Sequence, residues 1–187
     1  MKVGILPGAF NPVTKAHLAL AEAARSVVDE VVCVVPRSYP HKQYHGAALK
    51  ERIEMLRHAG GRYRIEVAAG GLFIDIAREL KPRLRASELY FICGRDAAER
   101  ILNWDYGEAG AIERILEEFQ LLVAARQGEI EPLADHAHRV QPLALPAKFD
   151  HISSSEVRRR IESGEPWEEF VPNSIVDLIR KIYVAGA

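Results

Sequence analysis

Short β-branched runs alternate with longer amphipathic stretches along most of the chain. The apolar residues at 3–6 predict a first strand, and a helix follows over 17–27, with Leu18, Leu20, Ala21, Ala24 and the neighbouring Val28 supplying an apolar face. Residues 30–35 are almost continuously apolar, the pattern of a strand covered on both faces. The same alternation predicts a helix over 47–59, a strand over 63–67 and a helix over 72–80 that Pro82 is expected to stop. A strand at 89–93 precedes helices at 96–102 and 109–119. Strands at 120–125 and 139–143 and two helices, 154–163 and 173–184, complete the chain, and the polar stretch 127–138 reads as a surface loop. Strands alternating with helices predict an α/β fold, a Rossmann-like parallel sheet with helices on both faces. At 187 residues the chain suits one domain over 1–187 with a single core.

Composition narrows the partners. The chain is 48% hydrophobic and 27% charged, with 25 basic against 26 acidic residues. Such a balance exerts no general pull on nucleic acid or on a membrane surface, so any anion site must arise from local placement. Cys33 and Cys93 sit in apolar strand-like runs without metal-ligand spacing, which predicts buried, reduced thiols. The start MKVGILPGAF is unlike a signal peptide, and no apolar run approaches the roughly 18 residues that span a bilayer. The expected compartment is the cytoplasm. Ile175, Leu178, Ile179 and Ile182 on the last helix are expected in the core; assembly into a homo-oligomer stays open.

In a parallel α/β sheet, ligands bind beyond the carboxyl ends of the strands. Three unusual segments follow predicted strands and would open on one edge: 7–17, 36–46 and 94–104. In the first, Gly8 and Ala9 are small enough for backbone N–H groups to approach a polyphosphate. Phe10, Asn11 and Pro12 follow, and the next helix start adds free donors and partial positive charge. Thr14 can cap that helix, and His17 falls in its first turn, aimed at the same anion.

A second cluster stands near the other end of the chain. Ser153, Ser154 and Ser155 precede a helical stretch with Glu156 in its first turn. One serine suffices as an N-cap. The surplus hydroxyls with Arg158 make a compact site for phosphate oxygens, whereas Arg159 and Arg160 fit a solvated face.

Gly8-x-Phe10-x-Pro12-x-Thr14-x-x-His17 together with Ile152-Ser153-Ser154-Ser155-x-x-Arg158 resembles the paired signature motifs of the α/β nucleotidylyltransferase superfamily. The resemblance spans nearly the whole chain and implies the nucleotidylyltransferase fold. It implies that Gly8, Ala9, Phe10, Thr14, Gly94, Asp96 and the three serines bind ATP, that His17 contacts its phosphates, and that Arg158 holds the β- and γ-phosphates. Ala16 stands where many members carry glycine. Within the superfamily, Pro40-His41-Lys42, the block Gly94-Arg95-Asp96 with Trp104, and the ending Val171-Pro172…Tyr183 are similar to bacterial nicotinate mononucleotide adenylyltransferases of NAD biosynthesis. There His41 and Lys42 would meet the acceptor phosphate, and Trp104 would stack on a pyridine ring. Leu72, Phe73 and Ile76 depart from the tyrosine and threonines usual in that branch. The opening 7–14 and the stretch 71–79 are instead close to pantetheine-phosphate adenylyltransferase, and a non-catalytic nucleotide-binding regulator is a third alternative. The chemistry implied is direct attack by a 5′-phosphate on the α-phosphorus of ATP, with Mg²⁺ held mainly by substrate phosphates and water and no protein metal cage.

Overall fold

The computed structural model describes residues 1–39, 46–103, 110–125 and 138–184. Six strands form one sheet in the order β3-β2-β1-β4-β5-β6. They are β1 (Lys2–Pro7), β2 (Glu30–Pro36), β3 (Arg64–Ala68), β4 (Glu88–Gly94), β5 (Gln120–Ala125) and β6 (Val140–Ala144). Every neighbouring pair is parallel, with Val3 opposite both Glu30 and Leu89. The strand order reverses between β1 and β4, so their carboxyl ends flank the switch point where such sheets open a crevice.

The alternation within each strand sorts the core into two layers. Cys33, Val35, Tyr90 and Ile92 face one side. There they meet α1 (Lys15–Ala24), α2 (Leu49–His58), α6 (Ser154–Ser163) and the C-terminal α7 (Val176–Ile179), which continues into a π-type turn, Arg180–Val184. Ile5, Val32, Val34 and Phe91 face the other, packed on α3 (Phe73–Leu84), α4 (Arg95–Leu102) and α5 (Ala111–Glu118). This is the two-faced arrangement that the alternating pattern predicts. Ile175 and Ile179 are fully buried, as expected of core positions. Cys33 and Cys93 are free and buried in opposite layers. Burial raises both thiols, that of Cys93 to about 12, so neither is a thiolate near neutrality. Among the described residues no helix is long and apolar enough to cross a membrane.

Several ends shift by a few residues, as in α1 over Lys15–Ala24 where the pattern predicts 17–27, and two elements differ more deeply from the sequence expectation. Pro82 does not stop α3, which runs on to Leu84 and closes at Arg85 in the left-handed region (φ 52°). Pro82 lacks the N–H that would bond the Arg78 carbonyl, but Leu84 is buried, and its packing holds the last turn in place. The predicted helix 173–184 is a succession of one 3₁₀ turn (Asn173–Ile175), α7 and the π-type turn.

On the second face Phe73 stacks on Phe91 (4.5 Å, 19°), and Phe91 meets Phe119 at a tilt (4.6 Å, 56°). Phe91 is fully buried at the centre of this trio. Replacing it by alanine is expected to destabilise the chain by about 3–5 kcal/mol, read from urea unfolding. A loss below ~1 kcal/mol would show that the trio is not a core element.

Candidate active site

The loop between β1 and α1 is held from outside by groups that bond its carbonyls. Gly8 N–H continues the ladder to the Val34 carbonyl (3.0 Å). Beyond it the Ala9 carbonyl accepts from Arg52 (3.2 Å), the Asn11 carbonyl from Arg158, and the Pro12 carbonyl from the Ser154 hydroxyl (2.8 Å). Among the described residues, no acceptor takes the amides of Ala9 or Phe10. A trans peptide points its C=O and N–H in opposite directions. The bond from Arg52 therefore fixes the Ala9–Phe10 peptide with the Phe10 N–H on the side away from the guanidinium; the Asn11 and Pro12 carbonyls belong to the peptides of Pro12, which has no N–H, and Val13, and their bonds hold the rest of the loop. Phe10 takes a left-handed conformation (φ 48°), uncommon for an aromatic residue. Its buried ring lies under Gly8, where a Cβ would come within 3.1 Å of the ring, and 5.0 Å from the His17 ring.

Asn11 is the polar hub of the loop. It is buried, and its side-chain oxygen accepts from the Ala47 amide (3.1 Å) and from the Tyr183 hydroxyl. Gly46 leaves room for it: a Cβ there would stand 2.2 Å from the Asn11 amide nitrogen, and φ is 127°. The loop is thus tied to the start of α2, to α6 and to the C-terminal turn.

The serines divide their work. Ser153 is the N-cap of α6 and accepts from the Glu156 amide (3.1 Å), and Ser154 latches the helix to Pro12. Ser155 is left exposed, 3.4 Å from the second terminal nitrogen of Arg158. Arg159 pairs with Glu156 and Glu165. Arg160 pairs with Glu156 and lies over the Phe170 ring (4.4 Å). Of the three arginines only Arg158 reaches the loop.

Gly94 is the N-cap of α4 at the end of β4, beside β1, with open space where a Cβ would stand; Asp96 is exposed in that helix's first turn. His41, Lys42 and Trp104 lie outside the described residues. In α3 the departures divide: Ile76 and Phe73 pack into the core, and only Leu72, at 42% exposure, stands at the edge of the sheet. Sequence reasoning missed Arg52, Gly46 and Tyr183 as supports of the site. Arg52 lies in a charged helical stretch that reads as solvated, and only its burial (3% exposed) sets it apart. Asn11 stood within the motif with no role given to it.

The sequence matches the family described as cytidylyltransferase-like over residues 5–160. The chain belongs to that family. A probable nicotinate-nucleotide adenylyltransferase of Thermus thermophilus is 32% identical over 191 residues, covering 97% of both chains. A protein of the same name from Citrifermentans bemidjiense is 32% identical over 213 residues, covering 98% of this chain and 99% of its own. Among solved structures, Plasmodium falciparum nicotinic acid mononucleotide adenylyltransferase complexed with NaAD superposes with a TM-score of 0.76 at 19% identity. That likeness covers 96% of this chain and 95% of that one, and shows a shared fold.

In this cytidylyltransferase-like chain the chemistry of His17 follows from its neighbours. Thr14 takes the N-cap position (φ −125°, ψ 165°), and His17 fills the place in a capping box where Glu or Gln is usual. Its Nδ1 lies 3.0 Å from the Thr14 amide and 2.8 Å from the Thr14 hydroxyl. A backbone amide can only donate, so Nδ1 is the acceptor and the neutral ring carries its proton on Nε2. Burial pushes the imidazole down from 6.5 to about 4. The folded chain therefore prefers the neutral ring; this contribution to stability is complete above the unfolded value and is lost as pH falls through about 4. In ¹⁵N-resolved NMR of the free protein, His17 is expected as the neutral Nε2–H tautomer from pH 8 down to 5. A protonated ring at pH 6, or an Nδ1–H tautomer, would contradict this geometry.

Proposed function

We propose that the chain transfers AMP from ATP to the 5′-phosphate of nicotinate mononucleotide and releases pyrophosphate, a step of NAD biosynthesis. The observation that carries this reading is the end-to-end match to relatives of that name, at 32% identity over 97% of the chain. The site geometry supports it. The acceptor's phosphate oxygen attacks the α-phosphorus of ATP in line, a P–O bond forms, and the bond to the bridging oxygen breaks, with its electrons leaving on pyrophosphate. The acceptor is already a nucleophile, so the protein's part is positioning and charge neutralisation. The amides of Ala9 and Phe10 and the Nε2–H of His17 supply donors for the reacting phosphates. Ser155 and the Arg158 guanidinium suit the departing pyrophosphate. Gly94 and Asp96 would border the nucleoside beside β1, while His41 and Lys42 would meet the acceptor phosphate and Trp104 its ring.

Among the described residues, no three His, Cys, Asp or Glu side chains group to hold a metal ion. The donor set of amides, hydroxyls and guanidinium suits an anion. Mg²⁺, held by substrate phosphates and water, would add charge neutralisation on those phosphates. We take the compartment to be the cytoplasm and the partners to be the two nucleotides.

Phe73 and Ile76 bear on packing, so their difference from the nicotinate branch does not itself argue for another acceptor. Incubation with ATP, Mg²⁺ and single acceptors, followed by pyrophosphate release, tests the assignment. Nicotinate mononucleotide is expected to give the highest kcat/KM, above nicotinamide mononucleotide and 4′-phosphopantetheine. A clear preference for phosphopantetheine would transfer the chain to coenzyme A biosynthesis. Release with none of them would mean a binding protein.

A further inference from the structure

Tyr183 lies in the π-type turn after α7, far in sequence from the loop after β1, yet the two meet at one atom. Its ring packs against the first-face core, where Ile179, four residues earlier, is fully buried. The side-chain oxygen of Asn11 accepts from the Ala47 amide (3.1 Å) and from the Tyr183 hydroxyl. A backbone amide can only donate, so the atom facing Ala47 is the carboxamide oxygen, and Tyr183 must be the second donor. Those two donors fill both lone pairs of an oxygen on a residue only 2% exposed, and losing one leaves a buried acceptor half-satisfied. Gly46 backs the same carboxamide, since a Cβ there would stand 2.2 Å from its nitrogen. The main chain of Asn11 is held as well: its carbonyl accepts from Arg158, and Phe10 before it is left-handed at φ 48°.

We infer that Tyr183 is a positioning residue for transfer: through the Asn11 side chain it sets the conformation of the loop after β1 and the place of Arg158 against that loop. The inference rests on the adenylyl-transfer reading above. A left-handed aromatic residue persists only where its surroundings over-determine it, and Asn11 supplies that constraint by being bound at both its side chain and its carbonyl. Releasing the side chain therefore loosens the Phe10 amide and the Arg158 contact together. For in-line transfer such a loss falls on the chemical step, because a misplacement of about 1 Å is enough to slow attack by on the order of 10²-fold. Tyr183 touches neither reactant in this account; it acts through Asn11.

The test uses the full chain and the variant Tyr183→Phe, which removes one oxygen and keeps the ring in the core. In ¹⁵N–¹H spectra of the free protein, the amide resonances of Phe10 and Asn11 are expected to move while those of β5 and β6 stay in place. With whichever acceptor the panel shows to be used, kcat should fall about 10-fold, the effect of one lost hydrogen bond felt in the transition state. The acceptor KM and the ATP affinity by calorimetry should stay within about threefold, since each draws on many other contacts. Asn11→Ala should lower kcat at least as far, and the double variant should be no slower than Asn11→Ala alone, because both changes cut one link. Unmoved loop amides, an unchanged kcat, or additive losses in the double variant would overturn the inference. Should Tyr183→Phe lower the thermal midpoint, kcat is read well below that midpoint on folded protein, and a normal kcat there overturns the inference too. Failure of every acceptor would strike the adenylyl-transfer reading; the spectra would then decide the link by themselves, moved loop amides supporting it and unmoved ones overturning it.

Discussion

Inside a folded chain, a backbone carbonyl without a hydrogen-bond partner is costly, and the loop after β1 meets that requirement with donors from distant parts of the sequence. Arg52 reaches Ala9, Arg158 reaches Asn11, and Ser154 reaches Pro12. Because a peptide's two polar groups point opposite ways, the bond from Arg52 to the Ala9 carbonyl fixes the Phe10 amide on the side away from that guanidinium, while the bonds to Asn11 and Pro12 pin the rest of the loop. The tie to α6 has a second consequence. The helix that carries Ser155 and Arg158 is anchored to the loop after β1, so segments from the two ends of the sequence meet at the carboxyl edge of the sheet.

The same constraint assigns different work to residues that look alike in sequence. Three serines in a row divide into a cap, a latch and an exposed hydroxyl. Three arginines divide likewise: Arg159 and Arg160 spend their charge on Glu156 and its neighbours, whereas Arg158 faces the loop. His17 is committed by the Thr14 amide to a single tautomer before any ligand arrives. In the proposed reaction a preset donor would cost little reorganisation as charge develops on the phosphates.

Much of the fold was legible because burial leaves a periodic mark. The continuous apolar run at 30–35 reported a two-sided strand, and the helices that it implied lie on both faces. Pro82 misled because local chemistry argued for a stop while Leu84, two residues on, had a place in the core. In the candidate site, residues with unusual chemistry in a tight motif stood out in the sequence (Gly8, Thr14, His17, the serines and Arg158), and the structure brings the two motifs into contact through Ser154 and Arg158. The supports did not stand out. Arg52 and Tyr183 stand far from the motif in sequence, and nothing in a charged helix or a C-terminal aromatic shows that its polar end is turned inward. Leu72, Phe73 and Ile76 looked like one altered recognition patch, but two of them are core residues of the Phe91 layer.

The proposed chemistry depends on His17 as a neutral donor to the reacting phosphates, held by Thr14 at the head of α1. Turnover of a His17→Ala variant with ATP and nicotinate mononucleotide tests this most directly. The predicted result is a fall in kcat of on the order of 10²–10³-fold, the usual size for one lost transition-state donor, with a folded protein and little change in the acceptor KM. Near-normal pyrophosphate release by that variant would contradict it.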